Sequence, residues 1–325
     1  PGAVPSAGDV VDLARAVLLL GRRGMKEQDT LLMDLATRLT DERVCLQLAA
    51  WIGTWEDPAE RDEVIELAAI LPECLAESLV EELTQDALAR SGRRATVEAL
   101  IRFGPRGQSQ VERLLGDSRW FVIRNGLTVL AGWHDPDTLD LVVPVLSHED
   151  GRVRREAVVS LGRMSMAEAH VYVVPMIEDP DPLVRAAAAR ALGTIGNPAG
   201  VHRLMGRLEE EPESDVETEI VWALGQIGDP AAVPLLEKRA VNSLFNRPPR
   251  EIRVSAYHAL AAIGTPHALT LLEAAELDRD PEVRKTATEL LAKREEASAR
   301  RRAEAFGEDA VALGPESEVS GDPST

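Results

Sequence analysis

The chain has 325 residues, enough for one or two ordinary globular domains or for one long array of repeats. Hydrophobic residues make up 45% and aromatics only 3%, so the core must be built from Ala, Leu and Val, which suit close-packed helices. The net charge of −19, from 36 basic and 55 acidic residues, weighs against nucleic acid, which is bound through Lys and Arg, and against an anionic membrane surface.

In chain order, Val10 to Leu20, Asp29 to Leu39, Arg43 to Ile52, Ala59 to Leu71 and Leu75 to Leu88 read as amphipathic helices separated by turn signals. The longest apolar run, Ala16 to Leu20, is bounded by charges and falls far short of the roughly 18 residues that span a bilayer. No membrane insertion is expected, and the chain reads as cytoplasmic. Cys45 and Cys74 sit in apolar helical patterns with no CxxC, which predicts buried free thiols in a reducing compartment. Between Glu56 and Asp86 stand eleven acidic residues and one basic residue, Arg61. This run is either a solvated face or a dock for a basic partner.

From about residue 90 the chain repeats itself every 30 to 36 residues. Segments that begin at Asp150, Asp181, Ser214, Arg250 and Asp280 carry Leu161, Leu192, Leu224, Leu260 and Leu291 at one matching position. Turns such as Ile195-Gly-Asn-Pro198 and Ile227-Gly-Asp-Pro230 follow. Asp or Ser near each start caps a first helix, Gly closes it in the left-handed conformation, and Pro restarts the chain as a second helix. A single hairpin cannot bury its apolar face, so stacking must do it.

The stretches DPDPLVRAAAARALGTIGNPAGVHRLMGRL and SDVETEIVWALGQIGDPAAVPLLEKRA resemble HEAT repeats, in particular the short bacterial variety also called PBS-lyase HEAT-like repeats. The resemblance covers about residues 90–295. It implies an all-α fold, a right-handed, elongated and curved α-solenoid of about seven to eight helical hairpins. Residues 1–89 would be diverged hairpins of the same solenoid, 90–295 the regular repeats, and 296–325 a helix extension followed, from Gly307, by a disordered acidic tail. It also implies a ladder of Asp and Arg between adjacent repeats, here Asp150, Arg154, Asp181, Arg185, Asp280 and Arg284. Glu217 replaces the Arg in one repeat, which puts the ladder in doubt there.

Signatures of chemistry are missing from the sequence: there is no HExxH, no Walker loop, no GxSxG and no Cys cluster. Deoxyhypusine hydroxylase is a HEAT-like enzyme with several His-Glu pairs, whereas this chain has one, His148-Glu149, in a linker. A HEAT-like DNA glycosylase depends on a basic groove, which the acidic composition opposes. The expectation is a protein that is not an enzyme and has no cofactor or metal, a scaffold or adaptor whose partner is another protein. The alternatives are a bilin-lyase-like enzyme subunit and a structural subunit of a larger complex.

In HEAT arrays the second helices line the concave face. Aligning them brings Tyr172, Met176, His202, Arg203, Arg207 and Arg239 to that face, or between the repeats. The insertion from Asn242 to Arg250 lengthens one repeat and offers Leu244, Phe245 and Arg247 as a protruding contact. Trp120, Phe121 and Trp222 are read as core or edge packing, with an aromatic platform for a ligand as the other reading.

Overall fold

The computed structural model describes residues 42–54, 65, 73–243 and 247–312, with side chains as far as Arg301. The fold is an all-α solenoid, and no strand occurs among the described residues. Of the N-terminal expectations, Val10–Leu20, Asp29–Leu39 and most of Ala59–Leu71 lie outside the described residues. Two compact units divide the chain, one ending at Arg203 and the other beginning at Leu204.

The first unit contains α1 (Glu42–Thr54), α2 (Glu73–Thr84), α3 (Arg90–Phe103), α4 (Gln108–Leu115), α5 (Trp120–Trp133), α6 (Leu139–Val142), α7 (Gly151–Met164), α8 (His170–Val173), α9 (Pro182–Ile195) and the start of α10 (Val201–Glu210). The odd-numbered helices are the first helices of hairpins, and α1 packs on α3, α3 on α5, α5 on α7 and α7 on α9. The second unit contains α11 (Ser214–Ile227), α12 (Val233–Ala240), α13 (Arg250–Ile263), α14 (Pro266–Ala275) and α15 (Pro281–Ala312), with α11 on α13 and α13 on α15. Burial follows the repeat. Leu161, Leu192, Leu224 and Leu260 are buried, while Leu291, in the last described helix, is half-buried. α15 continues past Gly307, where a disordered tail was expected, because no proline stands before Pro315 to stop it.

Small residues set how closely the first helices approach. A Cβ on Gly162 would lie 3.0 Å from the Cα of Ala191, and one on Gly225 would lie 2.6 Å from the Cα of Ala259. Gly196, Gly228 and Gly264 close their helices at positive φ, as the turn pattern predicts. His134 and Ser165 take the same left-handed position without being glycine. The second helices α4, α6, α8, α10 and α12 open with a 3₁₀ turn, and in three of these turns Asp135, Asn197 and Asp229 accept the N–H two residues on. By contrast, α14 starts directly at Pro266 with Thr265 as its cap. Two second helices are interrupted. Pro144 and Pro175 lack the N–H that an α-helix needs, and the chain tightens into 3₁₀ turns over Val143–Ser147 and Val174–Glu178.

Arginines join the linkers of successive repeats, but with different partners from those expected. Arg154 grips Asp179 through two parallel bonds, Nε to Oδ2 and Nη2 to Oδ1, each 2.8 Å long. Its Nη1 donates to the carbonyls of His148 and Glu149. Arg185 donates to the carbonyls of Asp179 and Pro180, and Arg284 to those of Asp278 and Arg279. Asp150 and Asp181 instead cap their own helices, accepting the N–H groups of Arg152 and Leu183. An aspartate at the cap faces the first turn of its helix, so the carboxylate two residues earlier is the one that reaches back to the preceding repeat. In the second unit Arg253 bonds Asp278 and the Ala240 carbonyl. Asp280 caps α15 and also takes Arg250 at 2.8 Å. Where Glu217 stands in the arginine's place the polarity is exchanged. Arg239 donates to Glu217 at 2.6 Å and to the Leu208 carbonyl at 2.7 Å.

The cysteines correct the expectation of free thiols. Cys45 of α1 and Cys74 of α2 are joined in a disulfide, their Cα atoms 5.9 Å apart. The pairing brings together two positions 29 residues apart, which helical periodicity alone does not reveal. The bond also removes the reducing compartment as an argument for a cytoplasmic chain.

Candidate functional site

The second helices carry most of the candidate residues, and the structure sorts them into two groups. In the first unit Tyr172 and Met176 are half-buried on the α8 segment, and His202 and Arg203 are exposed at the start of α10. Val171 is 53% exposed beside them, and Pro144 and Pro175 are exposed at the helix breaks. An open depression of about 480 Å³ between α4 and the α6 segment is lined by Leu115, Leu141, Pro144, Glu112, Asp140 and His148. This face is apolar with a polar margin.

In the second unit two of the arginines assigned to a partner are already engaged. Arg207 bonds Glu211 at 2.8 Å, with the glutamate side chain fully buried. Arg239 is the exchanged partner of Glu217. Both are therefore engaged inside the chain, because an arginine whose fork is filled by an internal carboxylate has little left for a partner. Arg247 is exposed, whereas Leu244 and Phe245 lie outside the described residues. His267 and Glu237 pair across the second helices at 2.9 Å.

The aromatic residues at the start of α5 are neither core nor bare edge. Trp120 and Phe121 are half-buried, meet edge to face with centroids 6.5 Å apart, and are covered by arginines from three helices and a linker. The sequence held a signal for this cluster. Between Arg90 and Arg124 there are eight arginines and three acidic residues, a local +5 in a chain of net charge −19. His148, in the lone His-Glu pair, accepts the Asp150 N–H through Nδ1. No group of three or more potential metal ligands occurs among the described residues.

Comparison with known proteins matches the profile of HEAT repeats to residues 109–177 and 172–247. No curated protein matches the sequence. Similar solved structures include an engineered protein, with 19% identity over 88% of this chain and 94% of the other at a TM-score of 0.42. Human deoxyhypusine hydroxylase in complex with glycerol gives 17% identity, coverage of 79% and 97%, and a TM-score of 0.33. Kap121p gives 13% identity over 89% of this chain and 38% of its own, with a TM-score of 0.52. The chain thus spans well under half of Kap121p. At this identity the likeness is one of fold.

Proposed function

Because residues 109–247 of this chain are HEAT repeats, we propose that it is a non-catalytic scaffold that binds another protein on its second-helix face. The observation that carries this reading is the mixed face of the first unit. There exposed Val171, His202 and Arg203 and half-buried Tyr172 and Met176 stand on a backbone fixed by the repeat beneath them. Tyr and Arg are favoured at the centres of protein interfaces. The solenoid needs no chemistry to act there; it offers shape and charge to a helix or an extended segment. Kap121p, whose fold this chain resembles, has been solved bound to Pho4p, and a protein ligand on such a fold is consistent with the reading.

Cross-linking and affinity purification from the native cells, read by mass spectrometry, tests it. The expected result is one stoichiometric protein cross-linked to the 170–178 or 201–207 helices. Cross-links confined to other surfaces, or a small-molecule turnover that co-purifies with the chain, would overturn it.

A further inference from the structure

Where α3 and α5 begin, the first unit has an open depression of about 630 Å³. It is lined by Leu88 and Phe121, by Arg90, Arg93, Arg119 and Arg124, and by one carboxylate, Asp86. Arg119 is spent. It bonds Asp117 through Nε and Nη2 at 2.9 and 2.8 Å and, through Nη1, reaches the Thr84 carbonyl and Asp86 at 2.8 and 3.0 Å. It forms a fixed frame.

The other three arginines differ. Arg93 lies over the Phe121 ring, 5.0 Å from its centroid, and gives one bond, to the Leu88 carbonyl. Arg124 lies over Trp120 at 5.4 Å and gives one bond, to the Asn125 amide oxygen. Arg90 is exposed at the first position of α3. Among the described residues none of the three has a carboxylate partner. Stacking on a ring holds a guanidinium in place while its donor edge stays available, and a pre-positioned fork loses less entropy when it takes a carboxylate.

We propose that this depression docks an acidic segment of a partner protein, with two or three carboxylates on Arg90, Arg93 and Arg124 and an apolar side chain against Phe121 and Leu88. The inference rests on the protein-binding reading and names a chemistry for the partner. Local charge argues for a short acidic segment over a nucleic acid. The +5 between Arg90 and Arg124 follows directly on the acidic run that ends at Asp86. A polyanion with a charge about every 1.7 Å of its axis would overrun the site onto a chain of net charge −19. The positive ends of α3 and α5, which have no side-chain cap, add to the attraction.

The test is fluorescence anisotropy on the full chain with three labelled probes. These are a short peptide of Glu and Asp around one Phe, the same peptide with Lys for each acid, and a short single-stranded oligonucleotide. The acidic peptide is expected to bind and the basic one not, with affinity falling as salt rises. Arg90→Glu is expected to weaken the acidic peptide about tenfold, one charge-assisted contact or about 1.4 kcal/mol. Arg163→Gln, an exposed arginine in the last turn of α7, is expected to leave it unchanged. A glutamate at the first turn of α3 suits the helix, and Arg90→Gln with a matching melt serves if the reversal alters folding. Equal affinity in the Arg90 variants, no binding of the acidic peptide, or tighter binding of the oligonucleotide would overturn the proposal. If the peptide results fail while a partner is cross-linked on the second helices, the scaffold reading stands and this inference alone falls.

Discussion

Replacing Asp179 by alanine tests the joint between repeats most directly. The Asp179 side chain is 5% exposed and that of Arg154 15%. The substitution removes both bonds to the guanidinium and the acceptor of the Asp181 N–H. Arg154 keeps its bonds to the His148 and Glu149 carbonyls, so its charge is stranded but not wholly unpaired. Breaking a buried pair from one side costs about 3–5 kcal/mol, and the retained carbonyls place Asp179→Ala at the lower end, about 3 kcal/mol. Asp150→Ala, which removes an exposed cap, is expected to cost about 1 kcal/mol. Urea unfolding followed by circular dichroism measures both. A cycle with Arg154→Ala should give a coupling of about 2 kcal/mol, within the range for residues in one network. If Asp179→Ala costs no more than Asp150→Ala, or the coupling stays under about 0.5 kcal/mol, then the joint is not held by this pair and the reasoning fails.

Gly225→Ala should destabilise by about 1–3 kcal/mol, because the new Cβ meets the α13 backbone at Ala259. Gly206→Ala, in α10 with nothing within 4 Å, should instead stabilise by about 0.5–1 kcal/mol; equal effects in thermal melts would refute the close approach. Acid should unfold the chain through its aspartates. Hydrogen bonds from Arg152 hold Asp150 at about 2. At Asp179 burial pushes the carboxyl up, but the bonds from Arg154 and the Asp181 N–H outweigh it, and the net shift is downward. A depressed carboxylate gives stability that is present above its unfolded value, about 3.9, and lost as pH falls through the folded one. The melting temperature should therefore hold above about pH 4 and drop towards about 2, and a drop beginning near neutrality would contradict this. Thiol titration of the unreduced, unfolded chain should find no free cysteine, given the Cys45–Cys74 bond; two free thiols would refute it. Reduction should lower the melting point, since closing a loop of 29 residues is worth about 3–4 kcal/mol.

The hairpins were legible because the repeat shows each feature several times over. Leu192, Gly196 and Pro198 have counterparts in Leu224, Gly228 and Pro230, and any one of them alone would be weak. What a local pattern does not carry was missed. In Asp179-Pro180-Asp181-Pro182 two aspartates fit a ladder equally well, and only the fold shows which faces the previous repeat. Arg239 looked like a surface residue because its partner, Glu217, stands 22 positions away. The Cys45–Cys74 pairing is non-local in the same way. The basic cluster around Phe121 was hidden by the net charge, which averages the +5 of Arg90–Arg124 against an acidic remainder.

The exchanged pair of Glu217 and Arg239 also turns the consensus of the repeat against itself. Elsewhere this position holds an arginine, as in Arg154, Arg185, Arg253 and Arg284. Here an arginine would stand against Arg239, which now donates to Glu217 at 2.6 Å, and two like charges repel where the present pair attracts. Glu217→Arg should therefore destabilise the chain in a thermal melt, and Arg239→Glu added to it should recover the loss. The commonest residue of the repeat is the wrong one in this hairpin, so consensus is no guide to stabilising it.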